Sequence, residues 1–324
     1  MSNVGHPPPG FRMPADIRLG RVRLQVADLE RSLAFYRDTV GYAVHASGNG
    51  RAQLGAQGDD AVLLELVEKP GVRPVPRRGL LGLYHFALLL PSRADLGRFL
   101  QAQARLGTPF GAADHAFSEA LYLVDPDGIT MEVYADRPRS EWEIRDGQYV
   151  GVTEPLDGDA VVASAGDTEW QGVPAGSVIG HVHLYVGDLD TATRFYHDGL
   201  GFDRVIWSYP GALFVSAGGY HHHVGLNTWA AGAPPATADD ARMLHWELIV
   251  PDTQTHDAVT ASLADAGYAV ARVAKGTDAG SDDVVHHDDG VSDDGASDDG
   301  ASGDVIADDP WGTRVRIVKS TQGP

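Results

Sequence analysis

Histidines are concentrated in one stretch of the chain, and their spacing could support metal chemistry. His181 and His183 lie in the segment HVHLYV, and the run His221–His223 follows further along the chain. Apolar residues alternate with the others in HVHLYV, which predicts a strand that carries both histidines on one face. A single histidine on a strand is usually an ordinary core or surface residue, but several together make metal binding a hypothesis worth testing.

The residue types that the chain lacks narrow this chemistry. The 324 residues include no cysteine, which excludes disulfides, zinc–cysteine sites, iron–sulfur clusters and thiol nucleophiles.

The formal net charge of −20 would repel nucleic acid. Neither a membrane span nor a signal peptide is predicted, because no sufficiently long apolar run occurs. We therefore expect a cytoplasmic protein that acts on a small molecule, and the sequence leaves open whether it is a homo-oligomer.

An internal repeat defines the elements that must position these histidines. LGRVRLQVADLERSLAFYRDTVGY (19–42) matches IGHVHLYVGDLDTATRFYHDGLGF (179–202), and LYHFALLLPSRADLGRFLQAQARLG (83–107) matches MLHWELIVPDTQTHDAVTASLADAG (243–267). Each match predicts a strand followed by a helix, and further strands follow. The chain therefore contains four similar modules, of which the first two are duplicated as the last two.

The repeat also predicts the domain organisation. Residues 1–18 are predicted to be a disordered leader. They are followed by a first domain at 19–139 (modules 1 and 2), a polar connection at 140–177, and a second domain at 178–320 (modules 3 and 4).

Modules 2 and 4 differ in one respect. Both contain a turn in which Asp, Pro and Gly suit the type I geometry, at Asp125–Gly128 and at Asp309–Gly312. Module 4 alone also contains an acidic insertion at 276–304, rich in Asp-Asp-Gly and without Lys or Arg. This composition predicts a solvated, disordered loop.

The modules and their motifs resemble the vicinal-oxygen-chelate superfamily. That superfamily includes glyoxalase I, fosfomycin and bleomycin resistance proteins, and type I extradiol dioxygenases. The chain is most similar to the two-domain catechol-2,3-dioxygenase-like group through GLYHFALLLPSR, DHAFSEALYLVDPDG, EVYADRPRSEW, GHVHL and SAGGYHHHVGLNTW. The resemblance implies an α+β fold in which four βαβββ modules form two vicinal-oxygen-chelate domains with cupped mixed sheets.

The resemblance also implies where a metal would bind. In this superfamily two modules surround one metal, and the ligand slots lie on the first and last strands of each module. From module 1 to module 4, the slots in this sequence hold Arg21 and Glu65, His85 and Glu132, His181 and Gly225, and His245 and Arg316. Pairing modules 2 and 3 supplies two histidines and one carboxylate: His85, His181 and Glu132. This ligand set is the facial triad of non-haem Fe(II) oxygenases.

The implied activity is that of an extradiol ring-cleaving dioxygenase. Such an enzyme would use Fe(II), or alternatively Mn(II), to cleave a catechol-type aromatic diol with O₂. By position in the family motif, His222 would be the acid/base, Tyr122 would orient the substrate and His115 would assist. Two alternatives remain at this point. One is a glyoxalase I-like isomerase, which would need a carboxylate at the slot of Gly225, and the other is a metal-free binding or resistance protein.

Modules 1 and 4 are expected to form a second cup that holds no metal. Two arginines in its slots would repel a cation, so we expect Glu65 to pair with Arg21, Arg316 or both, near His245. The alternative is that the arginines turn outward and apolar side chains fill the cup.

Overall fold

The computed structural model describes residues 4–273 and 303–320, in which all four predicted modules are found. Module 1 consists of β1 (Arg18–Val26), α1 (Leu29–Leu33) with a π-helical continuation (Ala34–Val40), β2 (Ala43–Gly48), β3 (Arg51–Gly55) and β4 (Val62–Glu68). Module 2 consists of β5 (Gly82–Leu89), α2 (Arg93–Leu106), β6 (Gly111–Asp114), β7 (Ser118–Val124) and β8 (Thr130–Asp136). The connection contains a 3₁₀ turn (Arg139–Glu141), β9 (Ile144–Arg145), β10 (Gln148–Tyr149) and α3 (Gly158–Ala163).

The second half repeats this order. Module 3 consists of β11 (Val178–Tyr185), α4 (Leu189–Thr193) with a π-helical continuation (Arg194–Gly199), β12 (Asp203–Ile206), β13 (Ala212–Ser216) and β14 (Val224–Asn227). Module 4 consists of β15 (Arg242–Val250), α5 (Thr253–Asp265), β16 (Val270–Val273), β17 (Asp304–Asp308) and β18 (Arg314–Lys319). Apart from residues 303 and 304, the predicted acidic insertion at 276–304 lies outside the described residues.

The same capping chemistry begins the helix of every module. A side-chain oxygen directly before the helix accepts a hydrogen bond from the backbone N–H three residues later, at Asp28, Ser92, Asp188 and Asp252. Such a cap satisfies a donor that the first turn of a helix leaves free. The repeat therefore preserves the signals that start each helix.

No helix in residues 4–273 and 303–320 has the length and apolarity needed to cross a membrane.

Two mixed sheets of eight strands each bring together the modules that the ligand slots predicted. One sheet has the order β12-β13-β14-β11-β5-β8-β7-β6 and joins modules 2 and 3, and we call it the 2–3 sheet. The other has the order β16-β17-β18-β15-β1-β4-β3-β2 and joins modules 1 and 4, and we call it the 1–4 sheet. The first strands of the paired modules lie antiparallel at the centre, as β5 with β11 and as β1 with β15.

Strand register is the same in all four modules. Each first strand pairs in parallel with the last strand of its own module, and the register partners are Arg23 with Glu65, Ala87 with Glu132, His183 with Gly225, and Glu247 with Arg316. The first-strand slot lies two residues before the register partner in every case. Because side chains two apart on a strand share a face, both slots of a module project from the same side of its sheet.

Hydrogen bonds between modules hold each half of the chain together. The hydroxyl of Tyr36 donates to Asp125 at 3.0 Å, and the equivalent Tyr196 donates to Asp309 at 2.9 Å. Each aspartate begins one of the two predicted turns, and the N–H of the glycine that ends each turn donates to its carbonyl. Both tyrosines and both aspartates are buried, so each bond fixes the helix of one module against the turn of the next.

The N-terminal segment corrects the prediction of a disordered leader. Residues 4–17 pack against module 3, where the N–H of His6 donates to the carbonyl of Arg204 at 2.9 Å. Arg12 forms an ion pair with Asp203 at 2.7 Å, and Met13 is buried with 3% of its surface exposed. Apolar burial and ion pairing therefore order a segment whose composition alone predicted disorder.

The cup of the 1–4 sheet contains the expected cluster of ion pairs. Arg21 Nη1 donates to Glu65 Oε2 at 3.2 Å, which confirms the predicted pair. Arg316 pairs with Asp304 and does not extend to Glu65. Two further residues join the cluster, because Arg23 lies 3.4 Å from Glu65 and Glu247 accepts from Arg21 at 2.7 Å.

Candidate metal centre

Three buried side chains from three strands meet on the concave face of the 2–3 sheet. His85 Nε2 lies 3.0 Å from Glu132 Oε2, and His181 Nε2 lies 3.2 Å from the same oxygen. The two imidazole nitrogens are 3.3 Å apart. Among the described residues, this is the one cluster of histidine and acidic side chains close enough to hold a metal ion.

The donor atoms fit a single divalent cation. Ligand bonds of about 2.1 Å at right angles place neighbouring donors about 3 Å apart, which agrees with the three separations. Two imidazoles and one carboxylate form the ligand set that suits non-haem iron, and such a facial set leaves positions open on the opposite side. The predicted residues therefore come together as a site that could bind a metal.

Burial and the contacts among the donors together set the charge of each one. Desolvation lowers the pKa of His85 and of His181, despite the opposing effect of the nearby carboxylate. Burial alone would raise the pKa of Glu132, but its attraction to the two histidines and their hydrogen bonds hold that pKa well below its usual range. Neutral imidazoles and an ionised carboxylate are the protonation states that a metal ion requires.

The remaining slot of modules 2 and 3, at Gly225, argues against a glyoxalase-type ligand set. His183 and Gly225 are register partners, and a β-carbon at position 225 would lie 2.8 Å from ring atoms of His183. The imidazole of His183 thus occupies the space that a side chain at position 225 would need. His183 Nε2 accepts a hydrogen bond from Asn227 at 3.0 Å, which holds the ring at the cavity wall. The sequence placed His183 on the same face as His181 but gave it no role.

A hydrogen-bonded chain of three residues leads to the edge of the metal centre. Asp136 lies 2.8 Å from His221 Nε2, and His221 Nδ1 lies 2.8 Å from His222 Nδ1. The ring of His222 is centred 4.2 Å from that of His181. Since a carboxylate only accepts, His221 Nε2 carries a hydrogen, and in the tautomer with that single hydrogen His221 Nδ1 accepts from His222.

The histidine run lacks the alternation of side chains that an extended strand would have. His221 does not turn away from His222 as it would on an extended strand, because the residues precede β14 and lie in a loop. His223 instead faces the other side, where its Nδ1 accepts from the N–H of Ala217 at 3.2 Å. Desolvation holds the pKa of His222 well below its usual range, so this ring is neutral.

Tyr122 and His115 form a second pair at the same cavity. His115 Nδ1 lies 2.7 Å from the carbonyl of Val152, which fixes the hydrogen on that nitrogen. In the tautomer with that single hydrogen, His115 Nε2 is an acceptor, and the hydroxyl of Tyr122 donates to it at 2.7 Å. Burial and the charge of Glu132 raise the pKa of Tyr122 well above its ordinary value. Tyr122 is therefore protonated at neutral pH.

These groups surround one cavity of about 370 Å³, which we call the metal cavity. Its walls are largely aromatic and apolar, and include Tyr84, Phe117, Ile206, Tyr209, Phe214 and Trp229. Ligand pockets in proteins measure about 300–1,000 Å³, so this cavity suits a small molecule. Flat aromatic walls around a metal site favour a planar, largely apolar ligand with polar atoms at one end.

The fold and the site define a known family. A family model described as the Glyoxalase/Bleomycin resistance protein/Dioxygenase superfamily matches residues 18–133 and 178–317. These ranges include most or all of each module, and the chain belongs to this superfamily.

Individual relatives agree with this membership. Over 259 residues, the chain is 44% identical to the catechol-2,3-dioxygenase of Bacillus subtilis (strain 168), covering 79% of this chain and 90% of that protein. A solved putative dioxygenase from Bacillus subtilis subsp. subtilis str. 168 matches with a TM-score of 0.60 at 11% identity, covering 97% of this chain and 87% of that chain. Glyoxalase I from Zea mays matches with a TM-score of 0.52 at 16% identity, covering 94% of this chain and 92% of that chain. Matches at such low identity show a common fold.

Proposed function

We propose that the protein is a metal-dependent extradiol dioxygenase that cleaves a small catechol-type aromatic diol with O₂. The convergence of His85, Glu132 and His181 at the metal cavity carries this proposal. The relative named catechol-2,3-dioxygenase supports it independently, because its similarity extends over most of both chains. Fe(II), with Mn(II) as the alternative, would be held by these three side chains and would supply the electron transfer that O₂ needs to react with a diol.

The other residues of the cavity would position the diol and move its protons. His222 donates its Nδ1–H to His221 Nδ1, so His222 keeps a lone pair on Nε2. This nitrogen can accept a proton from a diol hydroxyl and return it after ring opening. When it does so, the Nδ1 hydrogen can pass to His221, and the positive charge then lies beside Asp136.

Tyr122 would orient the substrate. Its hydroxyl is held by His115 and stays protonated, so its oxygen can also accept a hydrogen bond from a diol hydroxyl. Aromatic walls on the remaining sides would stack on the ring and keep water from it. His222, Tyr122 and the aromatic walls thus have roles that do not require any of them to react with O₂.

Oxygen uptake tests the proposal directly. Protein loaded anaerobically with Fe(II) is mixed with catechol and air-saturated buffer, and O₂ consumption is recorded with an oxygen electrode. We expect one O₂ per catechol and a ring-opened product that carries an aldehyde, an acid and both atoms of labelled O₂. Isomerisation of the methylglyoxal–glutathione hemithioacetal without oxygen uptake would instead identify a glyoxalase. Catechol binding without turnover for any tested metal would identify a binding protein.

A further inference from the structure

A second cavity, of about 310 Å³, adjoins the metal cavity, and Tyr84 and Tyr122 line both. We call it the arginine chamber, because Arg77, Arg78 and Arg242 line it. It lies where β5 and β15 begin, between the two equivalent turns that end in Gly128 and Gly312. The chemistry proposed above makes no use of this chamber.

The arginine chamber is positively charged within a protein whose net charge is −20. Its lining, as far as residues 4–273 and 303–320 define it, contains no aspartate or glutamate. Arg73 and Arg137 form ion pairs with Asp240 and Asp114, but the three chamber arginines have no such partner among the described carboxylates. Like charges repel one another, so a bound anion would relieve the repulsion.

Two buried polar atoms at the chamber also lack a partner. Neither Arg242 Nε nor Thr313 Oγ1 has a hydrogen bond to any described residue, and Thr313 is only 7% exposed. Leaving buried polar groups unpaired costs free energy, and such groups commonly mark the place of a ligand. An anionic oxygen in the chamber could accept a hydrogen bond from both atoms. An arginine on the solvated surface would not need such a ligand, because water would accept from its Nε.

The rest of the lining is largely apolar. Leu81, Val124, Ile129, Met243 and Trp311 form most of the wall between the arginines and the two shared tyrosines. Such a surface suits the hydrocarbon part of a ligand, while a planar guanidinium suits a carboxylate. The chamber therefore matches a carboxylate that is attached to an apolar body.

We propose that the arginine chamber binds the carboxylate end of the substrate, so that the preferred substrate is an aromatic diol with an acidic side chain. The ring would occupy the metal cavity, and the side chain would pass Tyr84 and Tyr122 to reach Arg242. The identification as a substrate site rests on the proposed dioxygenase activity, whereas anion binding by the chamber does not.

Anion binding is tested first, without turnover. The probe is 3-phenylpropanoate, which has a carboxylate and an aromatic ring but no diol, and its affinity for metal-free protein is measured by calorimetry. We expect Arg242→Gln and Thr313→Val each to weaken binding about ten- to a hundred-fold, as loss of a hydrogen bond to a charged group does. Arg194→Gln removes the same charge from an exposed position on the helix of module 3 and should leave affinity unchanged.

Thr313→Val keeps the shape of the side chain and removes a hydroxyl that has no partner, so it should fold normally even if Arg242→Gln does not. Arg77→Gln changes an exposed position, so it too should fold normally even if Arg242→Gln does not. Absence of binding in the wild-type protein, or equal binding in all variants, would overturn the proposal.

Turnover then tests the identity of the ligand. Values of kcat/KM are compared for 3-(3,4-dihydroxyphenyl)propanoate and the matched neutral diol 4-propylcatechol. We expect at least a ten-fold preference for the acid, and its loss in Arg242→Gln with turnover of 4-propylcatechol retained. Equal turnover of both diols would overturn the substrate assignment. If neither diol is cleaved but 3-phenylpropanoate binding depends on Arg242, the proposed activity fails while the anion site stands.

Discussion

His221 Nδ1 lies 2.8 Å from His222 Nδ1, so two adjacent residues of one histidine run form a direct hydrogen bond. The bond has a direction, because Asp136 accepts from the other nitrogen of His221. The partly buried carboxylate of Asp136 thus determines which nitrogen of His222 carries a hydrogen. The acid/base role proposed for His222 consequently depends on a residue in a different module.

The first prediction concerns this chain of hydrogen bonds. His222→Ala should retain metal and lower kcat about 10²- to 10⁴-fold, which is the usual contribution of a positioned acid/base. Asp136→Asn should lower kcat about 10- to 100-fold, as loss of a group that orients a catalytic residue does. The measurements are metal content and steady-state oxygen uptake.

His223→Asn is the matched control for this prediction. It alters the same histidine run, but His223 faces away from the metal cavity and is absent from its lining. Its kcat should remain within about two-fold of wild type, since ordinary substitutions away from a site have small effects. Unchanged kcat in His222→Ala, or loss of metal from it, would contradict the proposed role.

The second prediction separates the two cups. His85 and His245 occupy equivalent slots in modules 2 and 4, and both are buried. Only His85 meets a second histidine and a carboxylate, whereas His245 lies among Arg21, Arg23 and Arg316. His85→Ala should therefore lose the bound metal, and His245→Ala should retain metal and oxygen uptake. Metal content after dialysis measures this. Loss of metal from His245→Ala but not from His85→Ala would place the metal centre in the 1–4 sheet and contradict the prediction.

The repeat made equivalent positions in the four modules predictable, because register is strict in strands. The ligand slots that the family resemblance implies then favoured the pairing of modules 2 and 3. A shift of one residue would move every side chain to the opposite face, so equivalent slots in the sequence must be equivalent in space. His85 and His181 could be assigned in this way without knowledge of the sheet order. The same reasoning predicted the pair of Glu65 with Arg21, and the structure confirms it.

Other features depended on contacts that no local pattern encodes. Arg23 and Glu247 join the second cup because they are the register partners of slot residues on the last strands, a position that the family motif does not include. The link from His221 to Asp136 connects a loop in module 3 to the end of β8. The packing of Met13 needed the surface of module 3 to be present. Tertiary contacts, which are distant in sequence, determined all three.

The third prediction concerns the hydrogen bonds between modules. Tyr36→Phe removes a donor from the buried Asp125 and should cost about 1–3 kcal/mol of unfolding free energy. Tyr196→Phe should cost a similar amount through Asp309. Tyr42 is a matched control, because its buried hydroxyl has no hydrogen-bond partner among the described residues. Tyr42→Phe should therefore be neutral or stabilising in the same urea titration.

The cost of Tyr36→Phe should also depend on pH. Burial raises the pKa of Asp125 to about 7, against the lowering effect of its hydrogen bonds. Below that pH the carboxyl is neutral and loses little when the donor is removed, while above it the carboxylate loses a charge-assisted bond. The difference between Tyr36→Phe and wild type should accordingly be larger at pH 8 than at pH 6. A difference that stays constant between pH 6 and pH 8 would show that Asp125 does not titrate in this range.

The last prediction concerns stability in acid and rests on His223. Desolvation lowers the pKa of this residue to about 3 in the folded protein, against about 6.5 for an exposed histidine. Between those values the unfolded chain binds a proton that the folded chain does not, so stability must fall as pH decreases from about 6.5. One such group contributes a slope of up to about 1.4 kcal/mol per pH unit.

His223→Asn should remove this slope while preserving the local structure. The asparagine oxygen can replace His223 Nδ1 as the acceptor for the N–H of Ala217, but it does not titrate. Urea titrations of metal-free protein at several pH values between 6.5 and 5 measure the effect, because the other histidines contribute equally to both proteins. We expect the free energy of unfolding to decline less steeply for the variant, by up to about 1.4 kcal/mol per pH unit. Parallel curves would mean that His223 takes up its proton equally in the folded and unfolded states, and its burial would then not account for the loss of stability in acid.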